Sequence, residues 1–598
     1  MTYSQNWNLD RIYPGGIDSP ALAEKLTTLT KQITAFNQQA TSSDELNFDD
    51  LVTLTKDAQI IQSGLSTAGL FVNALAAADY GNDRYQPYQN QIAKLSADYQ
   101  TPLNNFAKLL AQLSASDFAT FQALPAVQPV AFHLNELRQG AKRLLDPTTE
   151  DLLNQYQLDG LKAWSKHYDT IAGGLKLTFV DEHGQDVTLS AGQALNQIED
   201  YPDHIVRQRI MQAFETMWGD AEKLSADTIN HLAGARLTEQ AAHGYQDHLA
   251  EPLELNRMSR QTLTTMWQVV DANKGMFDAY FDRKKALLGL TKLGWQDQNA
   301  PITQLGDYQP QTISYTTAAN FIISNFGKYS PKMATFAKQA FENGWIEAEN
   351  RPGKTPGAWM ESVPDIHESR IITTFTGSVN DTATIAHELG HAFHSSVLTD
   401  LPLWRDQYAM NVAETASTFA EMLIADANVQ AAKSNAEKVV LLDAKLTNPV
   451  AMFLNIRARF LFEDAFYRER KNGFVPAERL NELMVAAEQT AFNQQLDEWH
   501  PHFWTSKLHF YIDDVPFYNF PYTFGYLFST GIYAWAQTQP DFETAYIALL
   551  RDSANMTSEA LAQKHLGVDL TQPDFWQSAA DLVKTDIDEF LALSTEFI

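Results

Sequence analysis

The sequence predicts a mostly α-helical protein with a small β element beside its candidate site. Three observations support this prediction. Apolar residues recur at three- and four-residue spacing over most of the 598 residues, β-branched runs are confined to two short segments, and Gly and Pro mark turns without forming a long linker. With 44% hydrophobic and 20% charged residues, the chain can bury a large core, which excludes wholesale disorder.

The helical pattern begins at residue 19, where Ser19 and Pro20 provide an N-cap and a first-turn residue. Further helices are predicted wherever the same apolar spacing continues. These segments are residues 50–72, 86–114, 149–171, 203–219, 259–288, 317–327, 436–470 and 476–496.

Two segments have the pattern of β-strands. Residues 175–190 alternate apolar and polar side chains on both sides of a Glu-His-Gly turn, which predicts a hairpin. Residues 369–377 are β-branched and end in Gly, which predicts a strand leading into the next helix. Because a new helical series starts after the hairpin, we predict an N-terminal helical domain over 1–200 and a second domain over 201–598.

Composition excludes several classes of function. Lys plus Arg number 44 and Asp plus Glu number 73, for a net charge of −29, so we expect no general affinity for nucleic acid or an anionic membrane surface. The chain has no cysteine, which excludes thiol catalysis, Fe–S clusters and disulfides. The N-terminus lacks the pattern of a signal peptide, and the longest apolar run, 68–78, is too short to span a bilayer. We therefore expect a soluble, cytoplasmic protein.

The sequence His-Glu-Leu-Gly-His over 387–391 lies in a predicted helix, 380–398, for which Asn380 or Asp381 can serve as the N-cap. His387 and His391 are four residues apart, so both imidazoles lie on one helix face and can bind one metal ion. Glu388, beside the first ligand, can deprotonate a water held by the metal. This is the pattern of a zinc protease.

A catalytic zinc ion requires a third protein ligand and one position open to water. The next predicted helix, roughly 408–428, carries Glu414 and Glu421 seven residues apart on one face. We predict Glu414 as the third ligand and Glu421 as the acceptor of an imidazole N–H. An ordinary solvated acidic face is the alternative. His394 also lies on the ligand face and is the less favoured candidate for third ligand.

These motifs resemble those of the thimet-oligopeptidase-like zinc metallopeptidase family and, within it, the oligoendopeptidase F group. The most specific parts are residues 387–394 and the Glu-x-x-Ser-x-x-x-Glu pattern within 412–421. Residues 7–14, 160–164 and 294–297 also resemble this group, so the similarity extends over most of the chain.

The resemblance implies an elongated multi-helix body with a deep substrate channel and one Zn²⁺ at its floor, held by His387, His391 and Glu414. It implies cleavage of short unstructured peptides at internal bonds. It also implies that a histidine and tyrosines late in the chain contact the substrate and the oxyanion. His509 and Tyr526 match best.

Three further features have less specific signals. Tyr518 and Tyr522 are candidate substrate-binding residues, although Thr523 stands where the family pattern leads us to expect a tyrosine. Gly353 and Gly357 mark a loop that can approach a substrate backbone closely. A connector loop and an aromatic core are the alternative interpretations of these segments.

The sequence thus predicts a zinc-dependent endopeptidase of short oligopeptides, with Glu388 as general base and His509 and Tyr526 as oxyanion donors. A zinc carboxy-dipeptidase and a non-catalytic helical peptide-binding protein are the alternatives. We expect a monomer or small homo-oligomer, and the negative charge favours cationic or neutral peptides over acidic ones.

Overall fold

The structure, a computed structural model, describes residues 2–41, 47–303, 305–355 and 357–598. Within these ranges the chain is mostly α-helical, and its strands form one two-stranded and one three-stranded sheet. The predicted mostly α fold with a small β element is therefore confirmed.

The first five helices pack around a hydrophobic cluster of their own, which extends from Ile12 to Leu134 and also includes Val363 and Trp404. They are α1 Pro20–Ala40, α2 Phe48–Ala78, α3 Gln86–Gln112, α4 Ala115–Gln122 and α5 Ala131–Ala141. Helix α1 begins at Pro20 as predicted, but the Ser19 side chain makes no capping hydrogen bond.

The later helices surround a second, larger cluster. They are α6 Pro147–Asp159, α7 Leu161–Gly174, α8 Ala191–Asp200, α9 His204–Ala242, α10 Ala250–Leu255, α11 Arg260–Asn273, α12 Met276–Leu287, α13 Tyr315–Tyr329, α14 Pro331–Glu342, α15 Val379–Ser396, α16 Met410–Ala431, α17 Asn435–Val450, α18 Ile456–Arg470, α19 Ala477–Ala491, α20 Phe503–Ser506, α21 Phe520–Ala536, α22 Phe542–Asp552, α23 Ser558–Leu566 and α24 Asp574–Ser594.

Three predicted helices are interrupted. The segment 149–171 breaks at Gly160, and the segment 259–288 breaks at Lys274 and Gly275. The segment 436–470 contains a π-helical turn over 451–455, directly after Pro449 near the end of α17. Proline has no backbone N–H, so it removes one hydrogen bond of a regular helix, which is why the ladder changes register there.

The predicted hairpin is present as antiparallel strands β1 Lys176–Val180 and β2 Asp186–Ser190. The larger sheet contains β3 Ile346–Glu347, β4 Trp359–Val363 and β5 Glu368–Ile372, with β5 in the centre, parallel to β3 and antiparallel to β4. The predicted strand 369–377 therefore ends early, at Ile372. Both β4 and β5 contact α15, which places this sheet beside the candidate site.

The predicted domain boundary near residue 200 stays a prediction. The hydrophobic side chains of the hairpin and of α7 belong to the larger cluster, whereas the smaller cluster draws on residues up to Leu134. The chain therefore passes from the smaller cluster to the larger one between Leu134 and Tyr168.

Two helical segments, Phe48–Ala78 and Asn435–Arg470, are long and apolar enough to cross a membrane by length and composition. The run 68–78 is therefore part of a longer apolar helix than we expected. In the most apolar windows of these segments, 56% and 61% of residues are buried inside the protein, as in core helices.

Away from the predicted site, a half-buried carboxylate joins two histidines. Glu215 on α9 contacts the Nδ1 atoms of His500 and His502, the second at 2.5 Å, and His502 Nε2 lies 3.3 Å from Glu222. Burial lowers the pKa of His502, but Glu215 and Glu222 outweigh this effect and raise it above its ordinary value. Burial raises the pKa of Glu215, but the two histidines outweigh it and lower it to about 2.

We expect this contact to stabilise the fold below neutral pH and to lose that effect in alkali. Because the folded pKa of His502 exceeds its unfolded value, the stabilisation is complete below the unfolded pKa and disappears as the pH rises through the folded pKa. His502→Gln should cost about 1 kcal/mol at about pH 5.5 and almost nothing at about pH 9. Denaturant unfolding at both pH values measures this, and an equal cost at both would contradict it.

Candidate active site

A turn after β5 sets the start of α15. Ser378 is the N-cap, and the carboxylate of Asp381 completes a capping box with it. Asp381 also accepts hydrogen bonds from the backbone N–H groups of Thr376 and Gly377. The prediction of Asn380 or Asp381 as the N-cap was therefore wrong, because Asp381 stabilises the turn from inside the first helical turn.

The structure brings the three predicted ligands together. One donor atom each from His387, His391 and Glu414 lie within 4.8 Å of one another. Glu414 Oε2 lies 3.3 Å from His387 Nε2 and 3.4 Å from His391 Nε2. Burial raises the pKa of Glu414, but the two imidazoles outweigh it and hold it well below its ordinary value. Two imidazoles and one carboxylate are a donor set suited to a divalent metal ion such as zinc.

Hydrogen bonds behind the ligands fix their orientation. His387 Nδ1 lies 2.9 Å from Glu421 Oε2, as predicted for the acceptor of an imidazole N–H. The other oxygen of Glu421 accepts a hydrogen bond of 2.7 Å from Asn448 Nδ2. Ser417 Oγ donates to Glu414 Oε2 at 2.6 Å. Such contacts fix the imidazole tautomer and the carboxylate rotamer of a metal site.

Two glycines allow the helices to approach closely at this point. A Cβ atom on Gly390, inside the His-Glu-Leu-Gly-His motif, would lie 2.4 Å from the carbonyl oxygen of Ala416. A Cβ atom on Gly525 of α21 would lie 2.9 Å from Cβ of Glu414. Any larger residue at either position would force α15 or α21 away from α16, which carries the carboxylate ligand.

Glu388 lies beside the ligands and is only 5% exposed. Its Oε2 atom is buried and has no hydrogen-bond partner among the described residues. Burial raises the pKa of Glu388, and the charges of His387 and His391 act against this rise. A buried carboxylate oxygen without a protein partner is unusual, and it is available to a water or substrate atom at the site.

His394 does not join the ligand group. Its ring is completely buried and stacks on Tyr408 at 4.3 Å, and its Nε2 atom lies 2.9 Å from Ser553 Oγ. Burial lowers the pKa of His394 to about 3. The ring therefore packs in the core, which agrees with its lower ranking as a ligand.

His509, Tyr518 and Tyr522 form one ring cluster. The His509 and Tyr518 rings stack at 5.1 Å, and the Tyr522 ring lies 6.0 Å from His509 and 5.4 Å from Tyr518. Burial, Tyr518 and the charge of Glu414 raise the pKa of Tyr522, and the charge of Arg459 acts against this rise. Burial lowers the pKa of His509 to about 3, so its imidazole is neutral at physiological pH.

Tyr526 lies one turn further along α21. It lines a cavity together with Glu421, and it makes no ring contact with His509, Tyr518 or Tyr522 among the described residues. The oxyanion role that we assigned to Tyr526 stays a prediction, and Tyr522, whose ring lies in the cluster with His509, is a second candidate for it. Thr523 donates a hydrogen bond of 2.6 Å to the carbonyl of Met452 in the π-helical turn.

Sequence reasoning missed the side chains that hold the loop between His509 and Tyr522. Arg236 of α9 donates to the carbonyl oxygens of Ile512 and Asp513 at 2.6 and 2.9 Å. Glu463 of α18 accepts a hydrogen bond of 2.5 Å from Asn519 Nδ2. Both side chains are distant in sequence from this loop, and no spacing pattern links them to it. Arg459, also missed, places a positive charge near Tyr522 and His509.

The loop with Gly353 and Gly357 lies against the C-terminal end of α2. Both glycines have positive φ, at 81° and 93°. The carbonyl of Gly353 accepts a hydrogen bond from Tyr80 N at 2.8 Å, and Thr355 N donates to Ala77 O at 2.9 Å. The loop therefore connects the N-terminal helices to the β3–β5–β4 sheet. Its contact with substrate stays a prediction.

The helical fold and the His-Glu-x-x-His helix place the chain in a class of peptidases. A family model for peptidase family M3 matches residues 197–582, and one described as oligopeptidase F matches residues 110–176. The first match covers more than half of the chain, so the chain belongs to peptidase family M3. The predicted resemblance to oligoendopeptidase F is confirmed.

Relatives with known names support the same family. The chain is 22% identical over 509 residues to group B oligopeptidase PepB of Streptococcus agalactiae, covering 83% of this chain and 82% of that protein. It is 23% identical to an oligoendopeptidase F homolog of Lactococcus lactis over 64% of this chain and 63% of that one.

Solved structures share the fold. A putative peptidase from Chlamydophila abortus superposes with a TM-score of 0.82 at 19% identity, covering 99% of both chains. Oligoendopeptidase-F from Enterococcus faecium gives a TM-score of 0.69 at 16% identity, over 96% of this chain and 98% of that one. These similarities confirm the predicted elongated, mostly helical body.

We expect Glu421→Gln to weaken metal binding without abolishing it. The amide still fills the space but no longer offers a charged acceptor to the His387 N–H, so zinc affinity should fall about 10- to 100-fold. Titration against a competing chelator measures this affinity. An affinity equal to that of the wild type would show that Glu421 does not support the metal group.

Proposed function

We propose that the chain is a zinc-dependent endopeptidase that hydrolyses internal bonds of short oligopeptides. The observation that carries this proposal is the convergence of the His387, His391 and Glu414 donor atoms within 4.8 Å, in a member of peptidase family M3. The names of the relatives from Streptococcus agalactiae and Lactococcus lactis, an oligopeptidase and an oligoendopeptidase, support oligopeptides as the substrate class.

The donor set fits one zinc ion per chain. His387, His391 and Glu414 would supply three ligands of the kind that catalytic zinc sites use, which leaves a position for water or substrate. Bound there, zinc would act as a Lewis acid toward the attacking water and the scissile carbonyl. No cysteine competes for the metal, since the chain contains none.

Glu388 is suited to move the proton. Its buried Oε2 atom has no protein partner among the described residues, so it can accept the proton of the attacking water. Burial raises its pKa above the ordinary value of a glutamate, and a raised pKa makes a carboxylate a stronger base toward the water proton. Glu388 then passes the proton to the nitrogen of the leaving amine.

His509 and Tyr522 are suited to stabilise the oxyanion of the tetrahedral intermediate. The neutral imidazole of His509 and the phenol of Tyr522 each offer one hydrogen-bond donor, and both rings are partly exposed. Donors placed where negative charge develops lower the barrier more than they stabilise the substrate. Tyr518, stacked on His509, orients that ring and contacts substrate.

We also propose that the protein works in the cytoplasm on short unstructured peptides. The absence of cysteine fits a reducing compartment. Folded proteins would be excluded, because only an extended chain can place its backbone beside half-buried ligands that lie between packed helices.

Digestion of blocked peptides tests this function. Peptides acetylated at the N-terminus and amidated at the C-terminus are incubated with the zinc-loaded protein, and the products are mapped by mass spectrometry. We expect internal cuts, loss of activity with a chelator, and recovery on addition of zinc. Cleavage only of peptides with a free C-terminus, two residues from that end, would identify a carboxy-dipeptidase, and no cleavage at all a binding protein.

The control for this digestion is Glu388→Gln. The amide has the shape of the carboxylate but cannot accept the proton, so kcat should fall at least about 100-fold while zinc content stays unchanged. Turnover at the wild-type rate by this variant would contradict the role of Glu388.

Paired substitutions distinguish the two candidate tyrosines. Tyr522→Phe should lower kcat about 100-fold with little change in KM, because it removes a donor used mainly in the transition state. Tyr526→Phe removes the same hydroxyl one turn away and should have a much smaller effect on kcat. The opposite ranking would restore Tyr526 as the oxyanion donor.

A further inference from the structure

A cavity of about 460 Å³ lies beside the metal group. Its walls come from α15, α16, α17, α21 and α24. Three of these helices also carry the catalytic candidates. Ala383 of the cavity lies one turn before the first imidazole ligand on α15, Glu421 lies two turns after the carboxylate ligand on α16, and Tyr526 lies one turn after Tyr522 on α21. The cavity therefore adjoins the site along these three helices and shares with it Glu421, whose carboxylate contacts His387 Nδ1.

The charged residues of this cavity are mainly acidic. Among the described residues, four carboxylates and two ammonium groups line it: Glu421, Asp426, Asp586, Glu589, Lys438 and Lys445. Lys445 contacts both Asp426 and Asp586, the second at 2.6 Å, and Lys438 lies 2.5 Å from Glu589. The two lysines are thus paired, and Glu421 faces His387. One formal negative charge remains over the Asp426–Lys445–Asp586 contact.

The titration of Asp586 agrees with a negative local potential. Burial raises the pKa of Asp586, the charges of Asp426 and Glu589 raise it further, and Lys445 only partly opposes them. A second cation placed in the cavity would therefore be attracted to these carboxylates.

The remaining walls are apolar and aromatic. Met422, Val429, Leu441 and Leu582 contribute aliphatic surface, and the rings of Tyr526 and Tyr533 lie among them. The Tyr533 hydroxyl donates to Asp426, so this ring is fixed in place. An aliphatic wall that ends in carboxylates and aromatic rings matches the stem and head of a lysine or arginine side chain.

We propose that this cavity is a substrate subsite that binds the lysine or arginine side chain of a peptide residue close to the scissile bond. The inference rests on the proposed function, since it requires a peptide at the neighbouring metal group. Such a subsite would explain the preference for cationic peptides that the net charge of −29 suggests.

Matched peptides test the subsite. A blocked, internally quenched peptide that the protein cleaves is prepared with lysine, norleucine or glutamate at each of the positions flanking the cut in turn. Norleucine has the lysine stem without the charge. At one position we expect kcat/KM for lysine to exceed that for norleucine about tenfold, with glutamate the poorest, as one partly buried ion pair would give.

Variants identify the residues responsible. Asp586→Asn should lower the lysine-to-norleucine ratio toward one, whereas Asp586→Glu, which keeps the charge, should retain most of it. Asp552→Asn is the matched control, because Asp552 is similarly buried and also pairs with a lysine, Lys564, but lies outside the cavity. This control should keep the wild-type ratio. Melting temperatures show whether each variant is folded.

The possible failures can be told apart. Equal cleavage of the lysine and norleucine peptides at every position by an active wild type would overturn the subsite and leave the peptidase intact. A tenfold ratio that persists in folded Asp586→Asn and Asp426→Asn would show that the preference arises elsewhere and would also overturn it. Failure to cleave any peptide would overturn the proposed function, and the subsite with it.

Discussion

The site depends on one carboxylate held between three closely packed helices. Glu414 of α16 reaches both imidazoles of α15, while α21 packs against its Cβ atom. A carboxylate is costly to bury unless a cation or hydrogen bonds compensate for it, and here the imidazoles, Ser417 and a metal ion would do so together. Gly390 and Gly525 make this packing possible. The rest of the site follows from it, since the same helix contacts place Glu421, Tyr522 and the acidic cavity.

The features that sequence predicted well are those set by local periodicity. The spacing of His387 and His391 on one helix, and of Glu414 and Glu421 on the next, fixes which side chains share a face, so the ligand group could be inferred before any fold was known. The hairpin and most helices follow from the same kind of pattern. What local pattern could not supply was the relation between distant segments.

Several residues at the site illustrate that limit. Asn448 supports Glu421 from a different helix, and Arg236 and Glu463 hold a loop more than 50 residues away, with no shared motif to connect them. Tyr522 and Tyr526 are one turn apart in an aromatic segment, and only the three-dimensional structure places the first in the ring cluster with His509 and the second in the cavity wall. The Ser378 cap was missed because Ser378, Asn380 and Asp381 lie within four residues and offered competing cap candidates, and the turn after β5 decided between them.

The measurement that tests the central claim most directly is X-ray absorption spectroscopy at the zinc edge, on protein loaded with one equivalent of zinc. We predict a four-coordinate ion with two imidazole nitrogens and two oxygen donors, one from Glu414 and one from water, and loss of one oxygen donor or of the metal in Glu414→Ala. A zinc ion without histidine scattering, or one whose spectrum is identical in Glu414→Ala, would contradict this account.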